Sequence, residues 1–128
     1  MKQITRNMLK IYKPISNMDW MNYKLVKKDL TYHHIIKRED GGKQEIDNGA
    51  LLMPIAHQYL HIIEYKDIKT YNAINKIFKF INEQQYEPTL DQRQIIEYLL
   101  RQFEEEHKAD INSKGKLLIK YEYKNRIL

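Results

Sequence analysis

The stretch from Thr31 to Ile63, TYHHIIKREDGGKQEIDNGALLMPIAHQYLHII, leaves this chain little choice of local structure. Its opening, Leu30 to Ile36, is rich in β-branched and aromatic residues and reads as a strand. Gly41-Gly42 follows across the charged bridge Lys37-Arg38-Glu39-Asp40, and Asn48-Gly49 is a second turn signal, so a loop is expected between them. Ala50 to Met53 can form a brief returning strand. Pro54 then stands where the first turn of a helix tolerates a missing N–H, which predicts a helix from about Pro54 to Tyr65. Four of the chain's five histidines, His33, His34, His57 and His61, fall inside this strand-loop-strand-helix unit. The chemistry is expected there.

The flanking sequence reads as support. Ile4, Met8, Ile11 and Tyr12 are close to helical spacing, and Lys13-Pro14 closes that short helix. Ser16 to Asp29 has no clear period and is read as irregular, or one helical turn, with Trp20 as a core anchor. Ile68, Tyr71, Ile74, Ile77, Phe78 and Ile81 share one helical face. After Glu87-Pro88, Thr89 with Gln92 makes a capping box that opens a second long helix carrying Ile95, Ile96, Leu99, Leu100 and Phe103. Its end, Glu104-Glu105-Glu106, opposes the helix dipole and is read as a solvated acidic turn, with His107 as surface. Beyond the turn Asn112-Ser113-Lys114-Gly115, the alternation of Leu117, Ile119, Tyr121 and Tyr123 with Lys116, Lys120, Glu122 and Lys124 predicts a strand.

At 128 residues the chain can bury one core. The expectation is a single α+β domain over residues 1–128: a catalytic unit over about 31–65, helical support over about 67–110, and a C-terminal strand over about 116–124. An apolar fraction of 42% against 30% charged residues suits a soluble protein. Cysteine is absent, so disulfides, thiolate nucleophiles and Cys-based zinc sites are excluded, and any metal must be held by His or carboxylate. The sequence has no apolar run long enough to span a membrane, and its opening MKQITRNMLK lacks the apolar segment of a secretion signal. The expected compartment is the cytoplasm. Residues 1–80 carry 14 Lys/Arg against 8 Asp/Glu, whereas residues 81–128 carry 8 against 9. The positive field thus lies on the half that holds the histidines, as approach to a polyanion requires, although a merely soluble basic surface would look the same.

Adjacent residues on a strand point to opposite faces, so His33 and His34 ask for two different roles. On a helix, His57 and His61 are four apart and lie one above the other, the separation that lets two imidazoles grip one metal ion. If the loop folds the strand back beside the helix, one strand histidine joins that pair as a third nitrogen ligand. The other is left free as a general base, since an imidazole titrates near neutrality. Asn48, from the loop, is placed to orient that free imidazole through its amide.

In this order and spacing the residues resemble the HNH, or ββα-metal, nuclease core. There a histidine pair ends the first strand, a long loop with Gly-Gly supplies an Asn, and the helix brings the closing His. The spacing of Asn48, Pro54, His57 and His61 is closest to that of the colicin-type DNases. The resemblance implies that His33, His57 and His61 bind one divalent ion, that His34 activates water, and that Asn48 holds His34 in position. It implies hydrolysis of phosphodiester bonds, double-stranded DNA being the expected partner and a homodimer one way to cut both strands; three His ligands suit zinc or nickel by affinity, but cellular abundance and phosphate chemistry favour magnesium or manganese in function.

Two features depart from that pattern. The cysteine pairs that clamp many HNH domains are absent, and Thr31 and Tyr32 stand where colicin-type enzymes have Arg and Glu. Phosphate contacts must come from elsewhere, and Lys37, Arg38, Lys43 and Lys66 are candidates by proximity. Three competing readings are a structural zinc site, an inactive HNH-derived module from a mobile element that binds nucleic acid or inhibits a protein, and an RNase. Retention of both His34 and Asn48 speaks against an inactive module, because a metal-supported scaffold needs neither.

Overall fold

Two short strands and the helix that follows them form the centre of the molecule. The computed structural model describes residues 1–12, 16–84, 87–107 and 126–128. Helix α1 (Gln3–Ile11) comes first, followed by β1 (Thr31–His34), β2 (Gly49–Leu52), α2 (Pro54–Lys66), α3 (Ile68–Gln84) and α4 (Leu90–Glu106). The strands pair antiparallel, with Thr31 opposite Leu52 and His34 opposite Gly49. The fold is therefore α+β around a ββα unit, as expected. The predicted C-terminal strand at 116–124, the turn before it, residues 108–110 and the Lys13-Pro14 stop all lie outside the described residues.

β1 is shorter than the run Leu30 to Ile36 because the Asn48 side chain captures the chain after His34. Its Oδ1 accepts from the Ile36 N–H at 2.8 Å, and its Nδ2 donates to the carbonyls of Ile36 at 3.0 Å and Lys43 at 2.9 Å. Bonds spent on the side chain are lost to the ladder. The same closure needs the glycine pair. Gly41 adopts φ +91°, and a Cβ on Gly42 would stand 1.8 Å from the Ile36 carbonyl oxygen.

Helix α2 starts at Pro54, where its missing N–H costs nothing. Ala56, Tyr59, Leu60 and Ile63 form its buried stripe, while His57, His61 and Glu64 repeat one position further on, about 100° around the axis. One face anchors the helix and the next is free for chemistry. Helix α3 packs against α2 and β2 through Tyr71, Ile74, Phe78 and Ile81. Two predicted core positions turn outward: Ile68 is 53% exposed and Ile95 is 50% exposed. In their place α3 and α4 bury the polar residues Asn75, Asn82, Arg93 and Glu97.

Those polar residues tie loops to the core. Asn82 donates to the Gly49 carbonyl and accepts from the Tyr12 hydroxyl, which holds the start of β2 against α1 and α3. Arg93 donates to the Asp19 carbonyl at 2.6 Å and to Ser16 Oγ at 2.7 Å. The acidic end of α4 is corrected in part: Glu105 and Glu106 are exposed as expected, but Glu104 pairs with buried Arg126 at 2.7 Å and accepts from the Tyr59 hydroxyl at 2.8 Å. The capping box of α4 is present, with the Gln92 N–H donating to Thr89 Oγ1 and the Thr89 N–H donating to Gln92 Oε1. Trp20 is buried in the core, 6.0 Å from Phe78 between ring centroids. Among the described residues, no helix is long and apolar enough to cross a membrane.

Asp19 fixes the approach to α2. Its Oδ1 accepts from the N–H groups of Met21 and Tyr23 and its Oδ2 from that of Met53, the residue before the helix. Burial pushes its carboxyl up to about 6 while those three N–H groups pull it down. Asp19→Ala leaves three buried donors without an acceptor, each worth about 1–3 kcal/mol. Urea unfolding of that variant is expected to show a loss of at least about 3 kcal/mol. A loss below about 0.5 kcal/mol contradicts this anchoring role.

Candidate active site

The four clustered histidines line one cleft of about 430 Å³ between β1, α2 and α3, together with Lys2, Tyr32, Lys37, Arg38, Glu64 and Tyr71. Strand alternation divides the adjacent pair as expected. His33 is buried beneath the sheet, edge-on to His57 at 5.5 Å and to Phe78 at 5.9 Å between ring centroids. His34 lies on the other face beside Tyr32, whose ring meets it edge-on at 4.9 Å. His57 and His61 stack at 5.1 Å with their rings nearly parallel, as residues four apart on a helix allow.

Hydrogen bonds assign the ring nitrogens. His33 Nε2 lies 2.7 Å from Asn75 Oδ1, and the orientation of that amide is set by Nδ2, which donates to the Tyr71 carbonyl at 2.9 Å. Nε2 must therefore carry the proton, which leaves the lone pair on Nδ1. His57 Nδ1 lies 3.1 Å from Thr31 Oγ1, and that hydroxyl gives its only proton to the Leu52 carbonyl at 2.7 Å. His57 thus donates from Nδ1 and keeps its lone pair on Nε2. Burial lowers the pKa of both rings, that of His33 to about 4, and positive neighbours add to the effect at His57. Neutral imidazoles, each with one nitrogen held by an outer partner, are the donor set that a divalent ion takes.

The third expected ligand is less fixed. His61 is exposed, with Nδ1 3.6 Å from Glu64 Oε1. The rings share the cleft, but the ligand atoms of His33, His57 and His61 do not all lie within 4.8 Å of one another. Closing the set falls to His61, whose side chain is 64% exposed and free to turn. Among the described residues one group does meet that distance, Asp67, Glu106 and His107. Asp67 there accepts from the Thr70 N–H at 3.1 Å and the Thr70 hydroxyl at 2.8 Å, which caps the start of α3. His107, read as surface, in fact packs at a tilt against Phe103, 4.6 Å between ring centroids, and approaches Asp67 at 3.7 Å.

His34 differs from the other three. Its Nε2 is enclosed and has no hydrogen-bond partner among the described residues. Burial, with Arg38 and Lys2 nearby, lowers its pKa and favours the neutral ring. A buried ring nitrogen without a partner costs about 1–3 kcal/mol. Asn48 does not reach it: all of the amide's bonds described above go to Ile36 and Lys43. Its hold on His34 runs through the backbone, where the Asn48 carbonyl accepts from the Ile35 N–H at 2.9 Å.

Of the four cationic candidates, Lys37 and Arg38 line the cleft, while Lys43 and Lys66 do not. Lys37 is paired with Glu64 and stands 5.7 Å above the Tyr71 ring. Lys2, missed in the sequence, lines this cleft and the neighbouring one of about 420 Å³ that also reaches His57. Asn75, Glu64 and Thr31 were missed as well. A polar residue within the apolar stripe of α3 was the available signal for Asn75. Glu64 stands one turn beyond His61, and Thr31 occupies a position where colicin-type enzymes carry a charged residue.

The buried His33 gives a pH dependence. Above pH 6.5 the ring is neutral in both folded and unfolded chains; between pH 6.5 and about 4 only the unfolded chain binds the proton. Stability of the metal-free protein is expected to fall across that window by on the order of 3 kcal/mol from this group. His33→Leu should flatten the pH profile of urea unfolding between pH 7 and 4, and an unchanged slope contradicts the assignment.

Residues 22–62 match the family model described as HNH endonuclease. The match takes in β1, the loop, β2 and most of α2, and begins earlier than the sequence resemblance did, at buried Asn22, which holds φ +72°. No curated protein and no solved structure matches the chain.

Proposed function

We propose, from the premise that residues 22–62 belong to the HNH endonuclease superfamily, that the protein is a metal-dependent endonuclease that hydrolyses the phosphodiester bonds of double-stranded DNA. The supporting observation is the division among the four histidines: three face an acceptor with one nitrogen, and Nε2 of the fourth has no hydrogen-bond partner among the described residues. His33, His57 and His61 would hold one divalent ion, which when bound stabilises negative charge on the phosphate and on the departing 3′ oxygen. Magnesium or manganese suits phosphate chemistry, whereas zinc or nickel suits imidazole ligands by affinity.

His34 takes the proton of the attacking water, a role open to a ring that is kept neutral. The Asn48 amide fixes the chain at Ile36 and so sets where β1 delivers His34. Arg38 and Lys2 line the cleft as cationic contacts for the phosphates on either side. Lys37, engaged with Glu64, is less available for that task. With one site per chain, cutting both strands takes a homodimer or two successive visits. The cytoplasm is the compartment proposed for this activity.

In a supercoiled-plasmid nicking assay with magnesium or manganese, His34→Ala is expected to lower the rate by roughly 100-fold or more. Calorimetry should show its manganese binding unchanged. Nicking at the wild-type rate removes His34 from the base role. Wild-type protein that binds the ion and cuts RNA but not plasmid makes the enzyme an RNase, and protein that cuts neither under several divalent ions favours the inactive module.

A further inference from the structure

Glu64 is the one carboxylate on the histidine face of α2, one turn beyond His61 and two beyond His57. Its side chain is only 19% exposed, with one oxygen paired and the other facing a histidine. Oε2 pairs with the Lys37 ammonium, and Oε1 faces His61 Nδ1 at 3.6 Å. Lys37 is itself held over the Tyr71 ring, so the carboxylate is pinned from the loop side and from α3 at once.

The two inner histidines already have outer partners, Asn75 for His33 and Thr31 for His57. His61 is the exposed member and loses the most rotational freedom when a site closes. We propose that Glu64 is the positioning residue for His61: its carboxylate takes up the Nδ1–H of the ring and turns Nε2 toward the metal. This assignment rests on the proposed metal site. At 3.6 Å the present approach is longer than a hydrogen bond, and a small rotation of the exposed ring closes it. A carboxylate with one oxygen committed to an ammonium is better placed as a histidine's partner than as a further ligand. Each of the three ligands then has an outer partner on a different element: α3 for His33, β1 for His57 and α2 itself for His61.

The test is calorimetric titration of the purified full chain with zinc alone. Glu64→Ala is expected to weaken zinc binding by roughly 10- to 100-fold, and Glu64→Gln, which keeps an acceptor oxygen, by less. In a His61→Ala background, Glu64→Ala should have little further effect, because its role passes through that ring. Wild-type affinity in Glu64→Ala, or the same fold loss in both backgrounds, overturns the assignment. His57→Ala serves as the control for the site itself: if it binds zinc as tightly as the wild type, the metal-site reading fails and the Glu64 assignment with it.

Discussion

The hydrogen bond between His33 Nε2 and Asn75 Oδ1, 2.7 Å long and buried, joins the strand that carries the histidine pair to the middle of α3. Without it, β1 would present a buried imidazole with no partner and the lone pair of His33 would have no fixed position. With it, the ring is neutral, its tautomer is set, and His57 packs edge-on against it. The remaining geometry of the cleft follows from that fixed ring. His57 takes its own orientation from Thr31, two residues before His33 on the same strand, so β1 carries one candidate ligand and sets the tautomer of another.

A chain without cysteine must hold such a unit by packing and by single polar pins. Each pin here joins an otherwise weakly held piece of backbone to a helix or a strand. Asn82 holds the start of β2, Asp19 holds the residue before α2, and Asn48 holds the loop where it leaves β1. Arg126 does the same for the end of the chain, between Glu97 and Glu104. All four are side chain contacts across long sequence separations or around tight loops, and those of Asn82, Asp19 and Arg126 are buried or half-buried, where a hydrogen bond is costly to lose. The short sheet survives because its ends are tied down in this way. Two strands alone are only marginally stable.

The sequence was most legible where local rules act alone. Turn glycines, Pro54, the capping box at Thr89 and the helical spacing of α3 and α4 locate the elements because each depends on residues only a few positions apart. The separation of His33 from His34 was legible for the same reason. Partners at long separation were not. Asn75 stands out as a polar residue in an apolar stripe, but its neighbours do not name its partner, a histidine 42 positions earlier. Glu104 looked solvated because Arg126 lies beyond the helix that carries it, and Ile68 and Ile95 looked buried because spacing shows a stripe without showing its edges. The role given to Asn48 illustrates the limit: its place in the loop was correct, but its amide bonds backbone atoms and not the imidazole it was expected to orient.

The central claim is that three histidines hold one ion and the fourth does not. Anomalous diffraction from crystals of the full chain soaked in zinc tests it most directly. The account predicts a peak about 2.0–2.1 Å from one nitrogen each of His33, His57 and His61, with His34 outside the coordination sphere. A peak that includes His34, or one found only at Asp67, Glu106 and His107, contradicts it.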